Sequence, residues 1–260
     1  MVPMKLRPAL KDYLWGGTRL KTQYGKESDL PIVAESWEVS CHKDGPSLVE
    51  NGPQAGMTLP QAIDALGRHC LGKRGEELPE FPVLIKLIDA KQSLSVQVHP
   101  DDAYARRVEG EPGKTEMWLV LACEPGAYLY YGFAKDMTRE EFARRIQENT
   151  LTDVLRKVEV HPGDTFFIDA GTLHAIGPGI LIAEVQQSSN STYRVYDFGR
   201  VGPDGKPRQL HIQKALDVTR LTRETRPPRP PGERESLGGY ARTLLARCPY
   251  FTAPVFQAGT

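Results

Sequence analysis

The chain has 260 residues, 40% of them apolar, and carries 33 basic against 33 acidic side chains. This length and composition support one large or two small cores and exclude a largely disordered chain. The zero net charge excludes a broad field that would gather nucleic acid or an anionic membrane, so an anionic ligand has to be held by a few local cations. No run reaches the length of a membrane span, and the start "MVPMKLRPALKDYLWGG" lacks the basic head, apolar middle and cleavage site of a secretion signal. Cys41, Cys70, Cys123 and Cys248 form no CxxC pair, so they read as reduced, ordinary residues. The expectation is a cytoplasmic protein whose partner is a small molecule.

In chain order, "TLPQAIDALGRHCL" predicts a helix over about 58–71. From about Phe81 to Arg200 the chain becomes a succession of short runs rich in β-branched and aromatic residues: "PVLIKLIDA", "LSVQVHP", "EMWLVLACEP", "AYLYYGF", "TFFIDAG", "ILIAEVQQ" and "TYRVYDF". Turn chemistry in "EPGK", "CEPGAY", "HPGD" and "GPG" separates them, the pattern of an antiparallel barrel or sandwich. Two helical segments read as insertions on this β scaffold, the one over about 58–71 and "TREEFARRIQENT", where Thr138 and Glu141 have capping-box spacing. "LHIQKALDVT" reads as another short helix, and "RETRPPRPPGERE" is too rich in proline and charge for a core.

Alternation in "LSVQVHPDD" turns Ser95, Gln97 and His99 to one face and Leu94, Val96 and Val98 to the other, so one face carries ligand atoms. Downstream, "HPGDTFFIDAGTLHAIGPG" opens a strand after Gly163 and bends at Gly171 just before His174. It resembles the second signature of the cupin superfamily, with Asp169 where that signature usually has proline. Gln97 and His99 resemble the ligand pair of the first signature, and Glu116 in "GKTEMW" is its acid. Two imidazoles, a carboxylate and an amide oxygen suit zinc first, with manganese, iron or cobalt able to occupy similar geometry. Taken singly, each residue has a structural explanation: a strand-end histidine, a solvated glutamate, a core histidine. The flanking glycines and strand runs agree on one site.

The blocks "YLWGGTRL", "ESWEVSCH", "IKLIDAKQSLSVQVHPDD", "GKTEMW", "AGTLHAIGPGILIAEVQQSS" and "TYRVYDFGR" resemble, in order, those of the type I mannose-6-phosphate isomerase family in its short bacterial form. The resemblance runs from about Leu14 to Leu216. It implies a mainly β fold, a cupin-type antiparallel barrel (jelly roll) with helical insertions, holding one Zn2+ per chain on Gln97, His99, Glu116 and His174. It implies an aldose–ketose isomerase acting on a sugar phosphate, as monomer or homodimer. Arg194, Lys114 and Glu184 fall on the family's catalytic positions, and Lys86, Trp15 and Glu35 on its pocket residues. Such a reaction passes through a cis-enediol and needs a base, a carbonyl polariser and positive charge; Glu184 or Lys114 could move the proton, while Lys86 could meet phosphate or a hydroxyl. Without the family, Lys86 could snorkel from a strand, Glu184 pair with an arginine and Trp15 fill the core.

Asn190 stands where the family commonly has aspartate, and is expected in the pocket, orienting Arg194. The chain is expected to divide into a metal-binding cupin unit over 1–220, a linker or loop over 221–235, and over 236–260 the start of a second cupin-like portion that is cut short. A non-catalytic sugar-phosphate-binding cupin, or a cupin oxygenase with a similar ligand set, are the competing readings; the anion-facing set of Lys114, Glu184 and Arg194 argues against the oxygenase.

Overall fold

The computed structural model describes residues 3–202, 205–228 and 232–259. Two antiparallel sheets dominate it. The larger has six strands in the order Thr165–Ile168, Glu116–Cys123, Ile180–Gln187, Val83–Ala90, Glu35–Val39 and Ala9–Lys11. The smaller has five, in the order Tyr193–Tyr196, Val96–Val98, His174–Ile176, Tyr128–Phe133 and Leu155–Glu159. Ile88, Trp118, Phe166 and Ile182 from the first sheet meet Leu129, Tyr131 and Ile176 from the second in one buried cluster, so the sheets face each other across a shared core. The expected barrel thus takes the form of two facing sheets, with no ladder joining them among the described residues. The N-terminal strands Ala9–Lys11 and Glu35–Val39 extend the larger sheet, which the sequence pattern had placed only after Phe81.

The outer face of the smaller sheet is covered as well. Val96, Val98, Tyr193 and Val195 pack there against Phe142 and Ile146 of the Arg139–Gln147 helix and against Ala215 and Leu216 of the Ile212–Val218 helix. This explains why Gln97 and His99 turn inward: the apolar alternates have a core of their own. Leu94 departs from that alternation because the strand begins only at Val96, and it joins the inner cluster.

The helix expected over 58–71 stops at Leu66, because Gly67 adopts φ +80°, and Arg68–Leu71 makes a single 3-10 turn. Thr58 and Gln61 cap its start reciprocally. At Thr138 only half the expected box forms: its hydroxyl accepts the Glu141 backbone N–H at 3.1 Å, while the Glu141 carboxylate pairs with Lys135 at 2.9 Å. A helix not foreseen, Asp102–Val108, follows Pro100; Asp101 caps it by accepting the Tyr104 N–H at 2.9 Å. Of the two aspartates after His99–Pro100, Asp101 makes this cap, while Asp102 accepts from the Gly113 N–H at 2.7 Å, Gln187 Nε2 at 2.9 Å and the Tyr250 hydroxyl at 2.8 Å.

Residues 219–226 lie against the smaller sheet. Glu224 donates its N–H to the Phe133 carbonyl, and Arg226 pairs with Asp169 at 2.7 Å and with Glu224 at 2.6 Å. Beyond them, Arg234–Ser236, Tyr240–Arg247 and Thr252–Ala258 form a separate three-stranded antiparallel sheet. Leu245, Ala246 and Phe251 seat it on Met117, Phe167 and Val185, the outward side of the larger sheet. No helix of the described residues is long and apolar enough to cross a membrane.

Gly171 joins the two sequence motifs in space. At φ +85° its N–H donates to the His99 carbonyl at 2.8 Å, its carbonyl accepts from Arg220, and a Cβ there would stand 2.9 Å from the Val218 carbonyl oxygen. Gly171→Ala is expected to destabilise the fold by about 1–3 kcal/mol through left-handed strain and crowding, lowering the melting temperature by about 2–4 °C per kcal/mol in a thermal unfolding scan. An unchanged melting temperature contradicts this account of the turn.

Candidate active site

Two rows of side chains, one from each sheet, define the site. Across the larger sheet the register aligns Trp37, Lys86, Glu184 and Trp118, with Glu116 opposite Gln186 two positions along. Across the smaller sheet it aligns Arg194, Gln97, His174 and Tyr131. Partners directly opposite on antiparallel strands project to the same face, so register alone gathers residues that are 157 positions apart in sequence at the extreme, from Trp37 to Arg194.

His99, Glu116 and His174 converge with one ligand atom of each lying within 4.8 Å of the others, and all three are buried. The Glu116 oxygens stand 3.6 Å from His99 Nε2 and 3.4 Å from His174 Nε2. Both imidazoles are oriented by carbonyls: His99 Nδ1 donates to Ser191 O at 2.9 Å, and His174 Nδ1 to Thr172 O at 2.8 Å. A carbonyl only accepts, so each Nδ1 carries the proton and each Nε2 presents a lone pair inward. Burial, reinforced by Lys114, pushes the His99 imidazole down to about 3, and burial lowers His174 too; both are neutral. Burial opposes ionisation of Glu116, yet the Lys114 ammonium at 3.2 Å holds it well below the usual carboxylate range.

His99 Nε2 and both Glu116 oxygens are buried without a hydrogen-bond partner. Stranding such atoms costs several kcal/mol unless another ligand satisfies them. Two donors at zinc–nitrogen or zinc–oxygen distance from one tetrahedral ion stand about 3.3 Å apart, close to the separations seen. The residues therefore fit a divalent cation. Gln97 supplies the edge of the group, its Nε2 lying 3.5 Å from His174 Nε2.

Beside this group opens a cavity of about 270 Å³. Trp15, Glu35, Lys86, Gln97, Lys114, Glu184, Asn190 and Arg194, all of them singled out by the sequence, line it. Lys86 lies between Glu35 and Glu184, 3.3 Å from each, with its ammonium 4.9 Å from the Trp37 ring centroid. Burial disfavours its charge, but the Glu35, Glu184 and Glu116 carboxylates outweigh that and raise it. Glu184 accepts from Trp118 Nε1 at 2.9 Å through Oε1, while its Oε2 has no hydrogen-bond partner. Burial and the Glu116 charge raise the Glu184 carboxyl to about 7 against the pull of Lys86. Trp15 is both core and cavity wall. Its loop is fastened by Asp89, which accepts from Arg19 Nε at 2.7 Å and Arg19 N at 2.8 Å.

Asn190 lines the cavity, but its Nδ2 donates to Asp44 at 2.9 Å; Arg194 is oriented instead by Ser95 Oγ and the Gln209 carbonyl. Several site residues carry no signal in the sequence. Tyr13, Thr192 and Arg208 line the cavity from loops and strand ends. Gln186 and Gln187 shape the loop that carries Ser191. Gln186 Nε2 donates to the carbonyls of Gln187 and Ser189 at 2.7 Å each, and Gln187 Oε1 accepts the Thr115 N–H at 2.8 Å. His42, buried against Trp37, lies outside this cavity, as do His69, His161 and His211.

Fold and site together define a two-sheet antiparallel β protein with a buried His–Glu–His group, fit for a divalent cation, beside a charged cavity. Residues 4–124 match the family described as phosphomannose isomerase type I, catalytic domain. The chain is 40% identical over 255 residues to a mannose-6-phosphate isomerase of Streptococcus mutans, covering 98% of this chain and 78% of that one. It is 43% identical over 226 residues to a probable mannose-6-phosphate isomerase of Bacillus subtilis, covering 84% and 69%. A crystal structure of the mannose 6-phosphate isomerase from Bacillus subtilis superposes with a TM-score of 0.93 at 35% identity, over 100% of this chain and 81% of the other. The chain belongs to the type I phosphomannose isomerase family.

His99→Ala and His174→Ala are each expected to abolish stoichiometric divalent metal binding, read by elemental analysis of purified protein. The same variants should lose the rise in melting temperature that added metal gives the parent; at a thousandfold excess over Kd that stabilisation is about 4 kcal/mol. Full metal occupancy in both variants contradicts the assignment.

Proposed function

We propose that the protein interconverts D-mannose 6-phosphate and D-fructose 6-phosphate through a cis-enediol(ate). The observation that carries this reading is one cavity in which the buried His99–Glu116–His174 group adjoins a buried carboxylate, Glu184, and two buried lysines. Gln97, His99, Glu116 and His174 would hold one Zn2+ per chain, whose Lewis acidity would polarise the substrate's carbonyl and hydroxyl oxygens.

The chain's own residues supply the rest. The reaction moves one proton from C2 of the aldose to C1 of the ketose and exchanges the carbonyl and hydroxyl between those carbons. Glu184 is the base: its Oε2 lacks a hydrogen-bond partner, and its carboxyl is poised to exchange a proton near neutrality. Lys86 holds that carboxylate in place and, with Glu35, keeps the buried charges balanced. Lys114 offsets the Glu116 charge and donates toward the oxygen that becomes negative in the enediolate. Burial of this floor excludes water that would otherwise screen these charges. The cavity residues run from Tyr13 to Arg208, so the chemistry belongs to the first portion of the chain, and the 234–258 sheet supports its outer face. Four free cysteines and a sugar-phosphate substrate fit a reducing cytoplasm.

In an assay that converts fructose 6-phosphate to mannose 6-phosphate, Glu184→Gln is expected to lower kcat by about 10²–10⁴-fold while leaving metal content at one per chain. It should also stop the exchange of the C2 proton with deuterated solvent, read by proton NMR. Exchange at the parent rate in Glu184→Gln would remove this residue as the base.

A further inference from the structure

The inner cations of the cavity are already offset. Lys86 lies between two carboxylates at 3.3 Å, and Lys114 faces Glu116 at 3.2 Å. The rim differs. There Arg194, Arg200 and Arg208 stand around a single carboxylate among the described residues, Asp197, which pairs directly with Arg200 and Arg208. Among the described residues, three guanidinium groups against one carboxylate leave an excess of two positive charges.

The hydrogen bonds assign each arginine a distinct part. Arg200 is a brace: it donates to the Asp197 carboxylate at 2.6 Å, to the Asp197 carbonyl and to the Ser93 carbonyl, and it does not line the cavity. Arg208 does line the cavity. Its Nε and Nη2 make a two-pronged contact with Asp197, at 2.7 Å and 2.5 Å, which leaves Nη1 without a hydrogen bond among the described residues. Arg194 is fixed through Nε and Nη1, to Ser95 and Gln209, which likewise leaves Nη2 without one. Two planar cations, each locked along one edge with a donor spare, form a preorganised receptor for an oxyanion. Their half-buried position, above a floor sealed from solvent, matches a substrate that enters with its carbonyl end inward.

We propose that Arg208, positioned by Asp197 and working beside Arg194, binds the substrate's phosphate dianion at the cavity mouth. This rests on the sugar-phosphate reading above and gives that reading its selectivity. A dianion cancels the two unmatched charges, whereas an unphosphorylated hexose leaves them in place.

The test uses metal-loaded, full-length protein, with fructose 6-phosphate and inorganic phosphate as probes in calorimetric titrations alongside steady-state turnover. Arg208→Gln is expected to weaken binding of both probes at least tenfold and to raise KM far more than it lowers kcat. Arg208→Lys should recover part of the loss by restoring charge without the fork, and it carries the test if Arg208→Gln does not fold. Binding of both probes at parent affinity in either folded variant overturns the assignment. If the parent binds fructose 6-phosphate without turning it over, loss of that binding in Arg208→Gln still supports the anchor and counts against the isomerase reading alone. Absence of binding to the parent overturns both.

Discussion

A carboxylate buried with neither oxygen hydrogen-bonded is the constraint on which this molecule turns. Glu116 lies between two neutral imidazoles and one ammonium, on a central strand of the larger sheet. Such a group is tolerated only where its surroundings supply positive charge. Lys114 supplies that charge from two residues upstream, and the neutral imidazoles arrive from the facing side with their tautomers set by the Ser191 and Thr172 carbonyls, so that their lone pairs meet the carboxylate at one point. The arrangement is complete once a divalent cation accepts the three lone-pair sites, and packing, register and loop chemistry all serve that geometry.

From this floor the charges alternate outward. Glu184 and Glu35 flank Lys86, and beyond them Arg194 and Arg208 reach the opening. Every ammonium of the inner layer faces a carboxylate, while the outer layer carries excess positive charge among the described residues, so on the proposed reading a substrate with one reactive carbonyl and one anionic end has a single sensible orientation. On that proposal, chemistry and recognition occupy different depths of one cavity.

Two members of the buried His99–Glu116–His174 cluster were legible as parts of short motifs, His99 two positions after Gln97 and His174 just after the Gly171 turn. The family resemblance placed Glu116, Lys114, Lys86, Glu184 and Arg194, and the structure gathers all of them in or beside one cavity. Other features were hidden for physical reasons. Arg208 and Tyr13 sit in segments without periodicity, and only long-range contacts with Asp197 and the sheet bring them to the opening. Gln186 looks like one more polar residue at the end of an apolar strand; its role depends on carbonyls of a loop that local pattern does not describe. Asn190 was expected to steer Arg194, but Asp44, 146 residues away, competes for its amide. The helix over 58–71 was overextended because periodicity continues through Gly67, whose left-handed backbone breaks it.

The central claim is that the His99–Glu116–His174 group must hold a divalent ion for the sugar phosphate to be isomerised. The most direct measurement follows mannose 6-phosphate formation from fructose 6-phosphate before chelation, after chelation, and after zinc is restored. The account predicts turnover that disappears with the metal and returns with zinc while the protein stays folded throughout. Turnover that persists in metal-free protein, or a folded, zinc-loaded protein without turnover, would contradict it.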